Sequence, residues 1–183
     1  MLKIAITIPG ELPDEAARIA RLLESGWDFV HIRKPDWSLR DVRNLIEDVP
    51  YPLRSRLRLH GHFDLLNDYG LAGAHLNSRC PTAPAAARSV TRSCHSLGEI
   101  RRLETSGDLD RYQYVTLSPV FDSISKPGYA SAFDIHDPGF SIPERKVVAL
   151  GGVTPDRIAE LEAAGFAGAA MLGWVWDNDL NLK

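Results

Sequence analysis

Only two cysteines, Cys80 and Cys94, occur in the 183 residues, and they form no C-x-x-C pair. A disulfide framework or a zinc knuckle needs more thiols at closer spacing, so both are expected as reduced thiols. An excess of one charge is also missing. Lys and Arg total 21 against 24 Asp and Glu, the net charge is -3 and the pI is near 6.1. With its basic residues scattered, the chain offers no field for nucleic acid, although a small anionic ligand stays open. No apolar run approaches the roughly 20 residues of a membrane span. The opening MLKIAITIPGELPDE reaches acidic positions too soon for a signal peptide. A cytoplasmic protein with no membrane partner is expected.

What is present reads as one globular unit. Hydrophobic residues at 44% and charged residues at 25% sit near the averages for folded domains, and the length suits a single domain over 1–183. Short apolar strands alternate with amphipathic helices along the whole chain. The first strand is expected over Lys3 to Pro9, followed by a helix with Ala16, Ile19, Ala20 and Leu23 on one face and Gly26 as its stop. The second runs from Asp28 to Lys34. Ser38-x-x-Asp41 then has capping-box spacing before Val42, Leu45, Ile46 and Val49 at i, i+3, i+4, i+7.

The third strand is read over Arg56 to His62 with a short helix near Phe63 to Asp68, and the fourth over Ala74 to Asn77 with an alanine-rich turn at Ala83 to Arg88. The fifth, Val90 to His95, enters a second capping box, Ser96-x-x-Glu99, with Ile100 and Leu103 inward. The sixth is Tyr112 to Phe121, followed by a polar loop from Asp122 to Phe133. The seventh, Lys146 to Leu150, precedes a helix with Thr154 as N-cap, Pro155 at its first position and Gly165 beyond its end. The eighth is Ala167 to Leu172.

Eight such units predict an α/β fold, a compact single-domain (β/α)8 TIM barrel; an open doubly wound sheet is the runner-up. At about 23 residues per unit the chain is short for a barrel that typically takes about 250. Trimming is expected at helices 3, 4 and 6 and at a truncated last helix.

Active sites of such barrels lie on the loops after the strands. Five of six histidines, His31, His60, His62, His75 and His95, fall in or near the ends of strands 2 to 5. They suggest a polar pocket in which imidazole serves as acid, base, ligand or neutral partner. His60 and His62 share a strand face, so if one points into the barrel mouth the other should too. Arg33, Lys34 and Lys126, with Ser123 and Ser125, suit an anion. Gly151-Gly152 sits between strand 7 and its helix, where backbone amides and the helix dipole can hold a phosphate, with Gly173 after strand 8 as a partner loop. No carboxylate cluster stands at the strand ends, and G-x-S-x-G, P-loop and H-E-x-x-H motifs are missing, which leaves common hydrolase, kinase and zinc-protease chemistry without support.

Several ordered motifs, His31-Ile-Arg33-Lys34, Gly73-Ala-His75-Leu76, Ser93-Cys-His95-Ser96, Ser118-Pro119-Val120-Phe121-Asp122-Ser123-Ile124-Ser125-Lys126, Val148-Ala-Leu-Gly151-Gly152-Val153-Thr154 and Ala164-Gly165 through Met171, resemble those of the thiamin phosphate synthase and TenI-type thiazole tautomerase superfamily. The resemblance implies an enzyme of thiamin biosynthesis. Its synthase branch implies a transferase joining a thiazole phosphate to a pyrimidine diphosphate with magnesium assistance. It places Arg33, Ser93 and Lys126 at the diphosphate, Ser123 and Ser125 near the thiazole, and Gly152 with Leu172-Gly173 at the phosphate turns.

The departures matter. His31 replaces the family's glutamine and Pro35 a lysine; His60-Gly61 replaces a pyrimidine-binding asparagine and a magnesium aspartate, and Cys80 the second aspartate. Magnesium prefers hard oxygen ligands, so no residue is assigned to a metal. In the tautomerase branch, an isomerase that needs no metal, a histidine stands where this chain has Pro119, while His60-Gly61 and Cys94-His95-Ser96 lean that way. His31, His62 or His95 would then supply acid or base. A non-catalytic phospho-ligand sensor is the third alternative.

Overall fold

A computed structural model describes residues 1–122, 131 and 134–177. Eight parallel strands close into one barrel in sequence order: β1 Leu2–Ile6, β2 Phe29–Ile32, β3 Leu57–Leu59, β4 Gly73–Leu76, β5 Val90–Cys94, β6 Val115–Leu117, β7 Val147–Leu150 and β8 Gly168–Met171. Pairing of Leu2, Lys3, Ile4 and Ala5 with Gly168, Ala169, Ala170 and Met171 shuts the ring and disposes of the open-sheet alternative.

The helices are α1 Glu15–Glu24, α2 Leu39–Asp48, α3 Leu66–Tyr69, α4 Leu97–Ser106, α5 Ile158–Ala163 and α6 Gly173–Asp177. In α2 the Ser38 hydroxyl accepts from the Asp41 amide, the Asp41 carboxylate accepts from the Ser38 amide, and Val42, Leu45 and Ile46 are buried. Each of those side chains contributes about 1.5–3 kcal/mol by leaving water. In α4 the Ser96 hydroxyl accepts from the Glu99 amide at 3.1 Å, but the Glu99 carboxylate reaches one residue further back, to the His95 amide at 2.7 Å. Trimming falls largely as expected. The third helix is one turn, no helix is described between β4 and β5 or between β6 and β7, and the last helix is described for five residues.

Most strands are shorter than their sequences suggest, the third and sixth most of all. The third loses its start to a 3₁₀ turn over Tyr51–Arg56 and its end at Gly61 and His62, the latter at φ 52°. The sixth is preceded by a 3₁₀ turn over Asp108–Arg111 and ends at the cis Ser118–Pro119 bond. Thr154 precedes a 3₁₀ turn, Pro155–Arg157, before α5, and its side chain makes no capping bond to the backbone.

Strand alternation sorts side chains between two layers. Ala5, Val30, Ile32, Leu57, Leu59, Ala74, Leu76, Cys94, Val115, Leu117, Val147, Ala149, Ala169 and Met171 face the helices and form the main core. Inside the ring, β1, β7 and β8 supply Ile4, Ile6, Val148 and Ala170. By strand register, the inward positions of β2 to β6 carry His31, Arg58, His75, Thr91 and Thr116, all fully or almost fully buried.

Candidate active site at the barrel mouth

A cavity of about 440 Å³ opens at the C-terminal ends of the strands. Residues singled out in the sequence that line it include Arg33, Lys34, His60, His62, Ser93, His95 and Leu172. Its wall also carries His75, Asn77, Arg79 and Cys80, and no carboxylate stands among the described residues that line it. A volume in this range fits a small phosphorylated ligand.

His31, on β2, is fully buried below the cavity. Its Nδ1 meets His60 Nε2 at 2.9 Å and its Nε2 meets the Tyr114 hydroxyl at 2.7 Å. His75, on β4, bonds Thr91 through Nδ1 and Ser93 through Nε2, both at 2.8 Å. Its ring stacks on His60 with centroids 4.1 Å apart.

Beneath this cluster lies Arg58, with no exposed surface. Its guanidinium donates to the carbonyls of Ala74 and Ser89, to Ser89 Oγ and to Gln113 Oε1. Burial pushes His75 down to about 3, with the Arg58 charge acting in the same direction. His31 and His60 are likewise pushed well below the ordinary imidazole value, mainly by burial and further by His75 and Arg58. All three are therefore neutral near pH 7, able to exchange hydrogen bonds or ligate an ion but not to act as ready proton donors.

The other residues are positioned by the loops. Arg33 follows β2, where its amide donates to Thr7 Oγ1 at 2.8 Å and its half-buried guanidinium reaches the cavity. Its neighbour Lys34 is not available to an anion. The ammonium is fully buried, 2.7 Å from Glu15, bonded to the Gly10 carbonyl and 4.4 Å from the Trp37 ring centre. His62 lines the cavity with His60, as expected, but for a different reason. It lies beyond β3 in a left-handed conformation, and its Nε2–H donates to the Trp37 carbonyl at 2.9 Å. His95 is exposed on the rim.

Gly151 and Gly152 do not line this cavity. Their φ values are 91° and 65°, and a Cβ on Gly152 would lie 2.5 Å from the Asp122 carbonyl oxygen. A side chain is excluded by conformation and by contact at once. Gly173 begins α6. Ser123, Ser125 and Lys126 lie outside the described residues.

Sequence reasoning placed His75 near a strand end without giving it a role, and it missed Arg58, Tyr114 and Asn77. Arg58 carried a legible signal, since it stands two residues before His60 in a strand and so shares its face. Asn77 fixes the loop after β4: its amide donates to the carbonyls of His60 and His75, while its oxygen accepts from the amides of Arg79 and Cys80.

Known proteins share this architecture. The family pattern described as thiamine monophosphate synthase matches residues 4–175. The solved thiamine phosphate pyrophosphorylase of Bacteroides thetaiotaomicron superposes with a TM-score of 0.82 at 32% identity, covering 100% of this chain and 89% of that one. The thiamine biosynthesis bifunctional protein ThiM/ThiE of Symbiobacterium thermophilum is 28% identical over 95% of this chain, which spans 37% of that protein. The thiamine-phosphate synthase of Listeria monocytogenes is 27% identical over 61% of this chain, and the match spans 55% of that protein.

Proposed function

The chain belongs to the thiamine monophosphate synthase family, and from that premise we propose that its mouth cavity binds a phosphorylated thiazole and, as a transferase of thiamin biosynthesis, joins it to a pyrimidine diphosphate. The observation that carries the reading is the wall of the cavity: Arg33, Arg79 and several histidines around about 440 Å³, with no carboxylate among the described lining residues. Such a wall favours anionic oxygens, which guanidinium groups hold by charge-assisted hydrogen bonds.

Magnesium does not fit this wall. Gly61 and Cys80 stand where the resemblance would place carboxylates, and neither offers the hard oxygen that Mg²⁺ requires. No step is therefore routed through it. In the transferase reading the Arg33 guanidinium, with Lys126 from the loop after β6, balances the charge of the departing diphosphate, Ser93 donates to its oxygens, and the amides of Gly151, Gly152 and Gly173 hold the thiazole phosphate.

Calorimetry with thiazole phosphate at millimolar concentration tests the binding, and formation of thiamin phosphate with magnesium omitted tests the transfer. No heat of binding would sink the whole reading. Binding without turnover, with or without magnesium, would leave a phospho-ligand sensor, the reading that the replacement of both carboxylates favours.

A further inference from the structure

The structure assigns a second role to the floor of the cavity: we propose that His31, His60 and His75 form a three-imidazole site for a divalent transition-metal ion of zinc-like preference. One ring nitrogen from each residue lies within 4.8 Å of the other two. His31 and His75 come from β2 and β4, and His60 directly follows β3, where its amide is held by the Ile32 carbonyl at 3.1 Å. Three neutral imidazoles with a fourth position open are a common arrangement for zinc, whose Zn–N bonds run about 2.0–2.1 Å. His60 and His75 also line the cavity, so that fourth position falls on the cavity side, within reach of an anionic oxygen of a bound ligand. The inference does not depend on which phosphorylated compound occupies the cavity.

The outer contacts of the three rings suit ligands. The Tyr114 hydroxyl accepts from His31 Nε2–H when Nδ1 turns its lone pair to an ion, and the Arg58 guanidinium lies 5.6 Å from the Tyr114 ring centre. Thr91 Oγ1 points its own hydrogen at the Ala74 carbonyl and so accepts from His75 Nδ1–H. Partners of this kind hold tautomer and ring angle in metal sites. Closing on an ion requires two changes. His75 Nε2 exchanges its bond to the Ser93 hydroxyl for the metal, because Nδ1 is held by Thr91. His60 stacks on His75 with ring planes 18° apart, so it must turn about its Cβ–Cγ bond and exchange its bond to His31 for the metal. His60 is the half-buried member of the three and faces open space. Arg58 places a positive charge below the site, so micromolar rather than nanomolar affinity is expected, tightened by an anion in the cavity.

Titration of the whole chain with Co²⁺ reads the site directly through the visible bands of a four-coordinate complex, followed by displacement with Zn²⁺. One equivalent is expected. His60→Ala should weaken binding at least about 100-fold, and Tyr114→Phe about 10-fold to 100-fold through the outer contact. His136→Ala, a surface control, should change nothing. Because His31→Ala and His75→Ala open the core and can fail to fold, a crystal of the unaltered chain soaked in Zn²⁺ gives a second reading by anomalous scattering at the zinc edge. A stoichiometric band lost in His60→Ala, or an anomalous peak among the three rings, supports the site. Absence of the band, binding that His60→Ala leaves unchanged, or zinc found only at surface histidines overturns it.

Discussion

Breaking the buried ion pair between Lys34 and Glu15 gives a measurable double-mutant cycle. The two charges are 2.7 Å apart with 0% and 4% of their side chains exposed. At that distance, with an effective dielectric constant of about 20, the attraction is about 6 kcal/mol, against a desolvation cost of several kcal/mol for each ion. Burial outweighs Lys34 in setting the Glu15 carboxyl, which is raised above its ordinary value. Glu15→Leu leaves Lys34 with the Gly10 carbonyl and the Trp37 ring, and a loss near the lower end of about 3–5 kcal/mol is expected. Lys34→Met leaves a carboxylate whose Oε1 is already unpartnered, and the loss should reach the upper end of that range. The double variant Glu15→Leu/Lys34→Met should unfold within about 1 kcal/mol of the unaltered chain, or above it. A raised carboxyl contributes stability that is present at low pH and lost as pH rises through its folded pKa. The deficit of Lys34→Met should therefore be largest at neutral pH and shrink as the solution is acidified. Urea unfolding at pH 5 and pH 7.5 measures all of this. Single losses under about 1 kcal/mol that simply add in the double variant would refute the reasoning.

Gly152→Ala should cost more than about 2 kcal/mol in urea unfolding, because a left-handed residue costs about 1–2 kcal/mol and its Cβ meets Asp122 and Phe121 at 2.5 and 2.7 Å; a loss below about 1 kcal/mol would mean that the turn opens freely. Tyr114→Phe should lose about 1–3 kcal/mol in the same assay, since it removes the buried hydroxyl bonded to His31 Nε2. Cys94 is fully buried and its thiol is pushed up to about 11 by burial and Glu99, so iodoacetamide at pH 7.5 should label Cys80 alone in the folded chain and both in urea, as peptide mass spectrometry would show. Arg33→Ala should weaken thiazole phosphate in calorimetry by about 10-fold to 100-fold, the worth of a charged hydrogen bond, with the unfolding midpoint unmoved.

Local signals carried most of the fold. Ser38-x-x-Asp41 before an i, i+3, i+4 apolar stripe produced α2 with its capping box intact, and strands with apolar residues on both sides correctly implied a parallel barrel. Errors arose where a local pattern had a competing partner. Val120 and Phe121 look like strand but lie beyond the end of β6, where their amides bond the carbonyls of Leu150 and Gly151. Lys34 reads like Arg33 in the sequence; only the return of α1, bringing Glu15 beneath it, separates a committed cation from a free one. The mouth histidines were legible because each stands near a strand end. Tyr114 was not, because its importance lies in reaching His31 across the ring from β6, a contact that no spacing encodes.

The interior of the ring also explains why the mouth favours anions. Such barrels are usually filled by layers of branched apolar side chains, and here only the β1, β7 and β8 side follows that pattern. On the other side Arg58 keeps its charge, since a guanidinium does not release its proton in proteins. Every acceptor bonded to it is neutral: two carbonyls, a serine hydroxyl and a glutamine oxygen. Those bonds leave Nε without a partner and cancel no charge, and the rings of Phe29 and Tyr114 at 5.7 and 5.6 Å offset only part of it. The remaining field acts on each imidazole above and helps keep His31, His60 and His75 neutral. A second proton on any of them would add one buried positive charge to another. An anion in the cavity meets the same field with the opposite sign, so the charge that disfavours imidazolium at the floor favours phosphate at the mouth.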